Sequence, residues 1–170
     1  MREGIPIPGS AKARLIESTL HHVERVGFEA MSVADVATKA GVTTGSLYHH
    51  FGSKLGLYLV VRGDMERRIT DRMEGAAASV SADGSTSGVR AALMVAFDAA
   101  VRFDACRLLG EPLPAGATDS IEATLRPMLP STLGDAAPVL VAALRAALLC
   151  VADGSTAESA RAGLAFVVHE

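Results

Sequence analysis

Residues 32–54, SVADVATKAGVTTGSLYHHFGSK, gather side chains suited to hydrogen bonding but not to bond-breaking chemistry. Thr43, Thr44, Ser46, Tyr48, His49 and His50 can all reach phosphate oxygens or base edges. A Thr offers its methyl to thymine and its hydroxyl to an edge, and a His can donate or accept. Leu47 and Phe51, one helical turn apart, point the other way and are expected to bury. Lys54 stands in the first turn of the next expected helix, where free amides and the positive dipole end already favour a phosphate oxygen. Other chemistry has little support. Cys106 and Cys150 are far apart, have no CxxC partner and lack a sequence-local base, so reduced thiols are expected. His21 and His22 have no second ligand pair, so no metal site is expected. No catalytic residue and no cofactor follow, and the chain reads as a non-enzyme.

These side chains need short helices to present them. Apolar residues recur at three- and four-residue intervals over residues 11–27, with Ser10 as N-cap and Gly27 as a left-handed terminator. Phe28 is expected to anchor the following loop in the core. Ser32 caps a helix over residues 33–39 that buries Val33, Val36 and Ala37, and Gly41 stops it. A third helix begins at Thr43 or Thr44, and Gly52-Ser53 closes it and caps a fourth, over residues 54–78. Two short helices joined by a tight Ala40-Gly41-Val42 turn have the geometry of a helix-turn-helix, whose second helix enters the major groove. Residues 79–88 form a polar break, followed by helices expected over 89–109, 120–126, 138–152 and 156–168. There is no strand alternation and no repeat, so the expected fold is all-α.

The 170 residues have room for one good-sized domain or a small module attached to a larger one. Hydrophobic residues make up 49%, aromatics only 4%, and the mean hydropathy is +0.31. This composition supports a packed core and is inconsistent with disorder as the main state. The N-terminus lacks the apolar run of a signal peptide. Residues 139–152, the most apolar segment, are interrupted by Arg145 and fall short of the ~20 residues of a membrane span. A cytoplasmic protein without a membrane partner is expected.

The order of small, aromatic and polar residues is more specific than helical periodicity. Gly27-Phe28-Glu29-Ala30, Ser32-Val33 with Asp35-Val36-Ala37, Ala40-Gly41-Val42, Gly45-Ser46-Leu47-Tyr48-His49-His50-Phe51 and Ser53-Lys54 together resemble the TetR-type bacterial transcriptional repressors. The resemblance covers about residues 11–62 and implies a three-helix DNA-binding domain followed by a helical ligand-binding and dimerisation bundle. The implied division is a flexible arm at 1–10, the DNA-binding domain at 11–56 and the bundle at 57–170. It also implies phosphate contacts for Ser32, Tyr48 and Lys54, and groove or backbone contacts for Thr43, Thr44, Gly45, His49 and His50. One departure stands out. Relatives often carry an acidic residue three positions after the fourth-helix cap, where this chain has Gly56, so a looser helix start and weaker clamping by Lys54 are expected.

The last two expected helices are rich in small residues: Ala142, Ala143, Ala146, Ala147 and Cys150, then Ala157, Ala160, Gly163 and Ala165. Leu144, Leu148, Leu164 and Phe166 are expected to fill between them, and one helix pair from each subunit could form a twofold four-helix interface. A homodimer reading a palindromic operator on double-stranded DNA follows. Met65, Met94, Phe97, Phe103, Leu108 and Met128, with Leu129, could wall a pocket for a small lipophilic effector. Core packing explains the same residues about as well, and the alternative is a DNA-binding dimeric interaction module with no effector. Asp98 and Arg102 are spaced as an ordinary i,i+4 pair.

The formal net charge of −3 is unevenly shared. Residues 1–74 hold ten Lys/Arg against nine Asp/Glu, and the remainder hold six against ten. The acidity therefore lies mostly outside the expected DNA-binding head, which is itself close to neutral. Modest non-specific affinity is expected, with binding dependent on the Thr43 to Lys54 contacts and on dimerisation.

Overall fold

The computed structural model describes residues 9–80, 87–133 and 135–168, and every regular element among them is helical. Residues 1–8 of the expected arm, most of the polar break and His169 lie outside the described residues. The chain divides into two compact units, Met1–Gly63 and Asp64–Glu170. The division falls within the fourth helix, later than residue 56.

The first unit is built from α1 (Ala11–Ala30), α2 (Val33–Ala40), α3 (Thr44–Phe51) and the start of α4 (Lys54–Val80). Each short helix opens on the cap that its sequence provides. The Ser10 hydroxyl accepts from the Ala13 amide at 3.2 Å, Ser32 from Asp35 at 3.3 Å and Thr43 from Ser46 at 3.1 Å. Gly41 closes α2 at φ 65°, ψ 38°, the left-handed conformation that glycine adopts without steric cost. Gly27 behaves differently from expectation. Its φ of 79° is positive, but ψ is 169°, so it breaks the helical path and a last turn resumes through Ala30. That last turn carries Phe28 onto Tyr58, with ring centroids 4.5 Å apart. Leu15, Val23, Val36, Ala37, Leu47, Leu57 and Tyr58 are buried as this unit's core.

The second unit continues α4 and adds α5 (Ser87–Arg102), α6 (Cys106–Gly110), α7 (Ser120–Leu125), α8 (Ala137–Ala152) and α9 (Ala157–Val167). One continuous helix over 89–109 was expected, and the structure breaks it. The Ala105 amide donates to the Ala100 carbonyl at 3.0 Å and Asp104 to Val101 at 3.1 Å, which is a Schellman closure. Its left-handed position is Asp104 at φ 51°. The short Asp side chain tolerates that conformation, so no glycine marks the break.

Two other expectations change in this unit. Leu144, Leu148 and Leu164 are buried as expected, but Phe166 is 84% exposed. Two residues beyond the inward Leu164, it lies on the opposite side of a 3.6-residue helix. Asp98 does not rely on Arg102 for its ion pair; Arg161 of α9 grips both its oxygens at 2.7 and 3.0 Å. This bidentate geometry needs two helices brought together by the fold. Among the described residues no helix is long and apolar enough to cross a membrane.

Candidate nucleic-acid interface

α3 is eight residues long and has one buried residue, Leu47. With that side chain held in the core, Thr43, Thr44, Gly45, Tyr48, His49 and His50 are exposed, while Ser46 and Phe51 are half-buried. Tyr48, at 49% exposure, is a large apolar ring carrying a hydroxyl into solvent. The His49 and His50 rings lie edge-on, 5.6 Å apart.

The caps leave useful donors. Ser32 and Thr43 accept from backbone amides, but each hydroxyl hydrogen is still available to donate. A phosphate oxygen beside either one would complete a chain from backbone amide through hydroxyl to anion. The turn between α2 and α3 is held from α1. Arg14 Nε donates to the Ala40 carbonyl at 2.8 Å, and the Ser18 hydroxyl donates to the Val36 carbonyl at 3.0 Å. Arg14 looks like a solvated charge in the sequence, because nothing in its spacing reveals that Ala40 ends α2 beside it. Ser18 was hidden for the same reason.

Lys54 is less free than its position implies. Its ammonium donates to the Glu29 carbonyl at 2.9 Å and lies 4.8 Å from the centre of the Phe28 ring. The last turn of α1 thus holds the lysine, leaving two of its three ammonium hydrogens for other acceptors. The expected weakness at Gly56 also takes a different form. Ser53 still caps α4, its hydroxyl accepting from the Gly56 amide at 2.9 Å. A Cβ built on Gly56 would lie 2.2 Å from the Phe51 carbonyl oxygen, so the end of α3 packs directly against this glycine.

His21 is exposed and His22 buried, and burial beside Arg25 lowers the His22 pKa from 6.5. Among the described residues no cluster of three metal-ligating side chains occurs. The candidate effector residues stand in or against the second unit's core. Met65, Met94, Phe97 and Leu108 are buried, Phe103 and Met128 half-buried. The Arg72 guanidinium covers one face of Phe103 at 4.7 Å. A groove of about 460 Å³ opens elsewhere in that unit, between α6, α7 and α8.

Comparisons with known proteins agree with this geometry. Residues 15–61 match the family model described as bacterial regulatory proteins, tetR family. The HTH-type transcriptional regulator BetI of Vibrio parahaemolyticus is 29% identical over 87 residues, 51% of this chain and 44% of that protein. BetI of Paraburkholderia phytofirmans is 32% identical over 88 residues, covering 52% and 45%. The chain spans less than half the length of these curated relatives. Among solved structures, the TetR family regulator PfmR of Thermus thermophilus has a TM-score of 0.63 at 21% identity, with 91% of this chain and 97% of that one covered. The fatty acid degradation regulator FadR of Bacillus halodurans reaches a TM-score of 0.69 at 12% identity, covering 97% and 96%. At such identities the structural likeness speaks for the fold alone, and the sequence likeness lies mostly in the head. Through residues 15–61 the chain is similar to the bacterial regulatory proteins of the tetR family.

Proposed function

We propose that this chain is a homodimeric, cytoplasmic, DNA-binding repressor that reads a palindromic operator with α3 and is released by a small lipophilic effector. The observation that carries the DNA-binding part is the exposed row Thr43, Thr44, Tyr48, His49 and His50 around buried Leu47. Ser32 and Lys54 supply donors for the phosphates on either side, and Gly45 allows close approach of the backbone. Dimerisation is supported by the outer faces of α8 and α9. There Val139 is 67% and Val167 57% exposed beside Phe166, with Ala142, Ala146, Cys150 and Gly163 between. Ala147 and Ala160 face inward instead and serve the subunit's own core. Two heads in a dimer would meet half-sites about 34–36 Å apart or somewhat more on one DNA face.

A salt titration tests the phosphate role. Each lost phosphate contact lowers the slope of log affinity against log salt by about 0.9. Between 50 and 200 mM salt, Lys54→Ala should therefore blunt the loss of affinity by about 3.5-fold per head, or about 12-fold for a dimer. Tyr48→Phe should weaken binding on specific and random duplexes alike. An unchanged slope for Lys54→Ala would leave Lys54 only as the tether to Glu29.

One observation favours the effector-free reading. Met65, Met94, Phe97 and Leu108 are all buried, as core packing alone requires. A thermal-shift screen of aliphatic compounds separates the two. No stabilisation across a broad panel favours a dimeric DNA-binding interaction module.

A further inference from the structure

We propose that Phe28 is the positioning residue for the phosphate contact of Lys54, and that Tyr58 and Arg62 hold its ring in place. The role deepens the DNA-binding reading and rests on it. Lys54, Tyr58 and Arg62 stand four residues apart along α4, so their side chains leave one face of the helix on successive turns. Phe28, from the turn that resumes after Gly27, meets two of them. Its ring lies 4.8 Å from the Lys54 ammonium and 4.5 Å from the Tyr58 ring. Tyr58 is fixed in turn. It is buried, and its hydroxyl accepts from an Arg62 terminal nitrogen at 2.7 Å, with the guanidinium 6.0 Å from the ring centre. The row therefore runs cation, ring, ring, cation, from half-buried Lys54 to buried Arg62.

A lysine at a helix start is ordinarily a loose point charge on a flexible stem, and it loses rotamer freedom when it settles on a phosphate. Here two attractions fix it beforehand. The Glu29 carbonyl accepts from the ammonium at 2.9 Å, and the face of the neighbouring Phe28 ring attracts the cation. Neither uses the two remaining ammonium hydrogens. Ordering thus precedes the arrival of DNA, and a contact preorganised in this way is tighter than the same contact made by a loose side chain. Apolar packing by itself explains the Phe28–Tyr58 pair. The ammonium against the same ring is the added feature, and it places the ring's effect on the residue that faces phosphate.

The test is a double-mutant cycle on the full chain. The probe is a random-sequence duplex of about 30 base pairs, because phosphate contacts are blind to sequence and that length spans two heads. Phe28→Leu keeps an apolar side chain and loses the ring. It should weaken binding about three-fold per head, or about ten-fold for a dimer, with the wild-type salt slope because the charge remains. In a Lys54→Ala background the same substitution should change affinity by less than about two-fold. Phe28→Tyr, which retains a ring face, should bind within about two-fold of wild type. An equal loss in both lysine backgrounds would make Phe28 a packing residue only, and no loss in either would leave the ring without a role at DNA; each overturns the proposal. A wild-type measurement covers the case in which Phe28→Leu folds poorly. The Lys54 ε-methylene protons should show the upfield NMR shift of protons over a ring, both free and with the duplex bound. Disappearance of that shift on DNA would mean that the ammonium leaves the ring to reach phosphate, which also overturns the proposal. A wild type that ignores the duplex at about 50 mM salt would sink the DNA-binding reading and this role together, whereas binding with an additive cycle sinks the role alone.

Discussion

Replacing Gly56 by Ala sets two effects of opposite sign against each other. In an exposed helix interior, Gly→Ala stabilises by about 1 kcal/mol, because glycine loses more backbone freedom on folding. Here the added Cβ would lie 2.2 Å from the Phe51 carbonyl oxygen, against an ordinary contact of 3.4–4 Å. That oxygen cannot swing away alone, since it belongs to the backbone ending α3 and accepts from the Ser53 amide at 2.8 Å. Relief needs α3 and the start of α4 to separate by about 1 Å, and overpacking of that kind costs about 1–3 kcal/mol. At the upper half of that range the net is a loss of about 1–2 kcal/mol, or about 2–8 °C in Tm for a chain of this size. Gly63 provides the internal control. It lies in the same helix, is exposed, and a Cβ there meets nothing within 4 Å. Gly63→Ala should therefore stabilise by about 1 kcal/mol while Gly56→Ala destabilises. Paired urea and calorimetric unfolding of the two variants reads the signs directly. Stabilisation of similar size at both positions would refute the close approach of α3 to Gly56.

His22 makes stability depend on pH. Its folded pKa is lowered from 6.5 by burial first and by Arg25 second, so the unfolded chain binds the proton more readily. Its contribution is complete above about pH 6.5 and is lost as pH falls below it. Urea unfolding at pH 7.5 and 5.5 should show a smaller loss on acidification in His22→Gln than in the wild type, and identical losses would contradict the burial. Gly110 is tested by a double-mutant cycle. A Cβ there would lie 2.9 Å from Leu149 Cγ, so Gly110→Ala should cost about 1–3 kcal/mol alone and much less in a Leu149→Ala background. Strict additivity in chemical denaturation would mean that α6 and α8 do not meet at this point.

The head was largely legible because its determinants are local. Ser10, Ser32 and Thr43 cap their helices within three residues, and Gly41 ends α2 by its own backbone freedom. The exposed face of α3 followed from the turn between Leu47 and Phe51 alone. Where a local rule had more than one solution, the sequence was ambiguous. Gly27 reads as a terminator but breaks the path before a resumed turn, and Asp104 closes α5 without the glycine that usually marks such an end. The packing of distant segments could not be read at all. Lys54 is tethered by Glu29, 25 residues away, Asp98 by Arg161, 63 away, and Asp119 by Arg145, 26 away.

The amino-acid sequence by itself determined the all-helical class, the helix-turn-helix and the residues that α3 exposes, because capping, turn formation and amphipathic spacing act over a few residues. Tertiary structure decided how free those residues are. Whether Lys54 is loose or held and whether Gly56 is a weakness or a fitted contact both depend on atoms brought within bonding distance by chain folding. Such contacts have no period in the sequence, so no pattern along the chain could announce them.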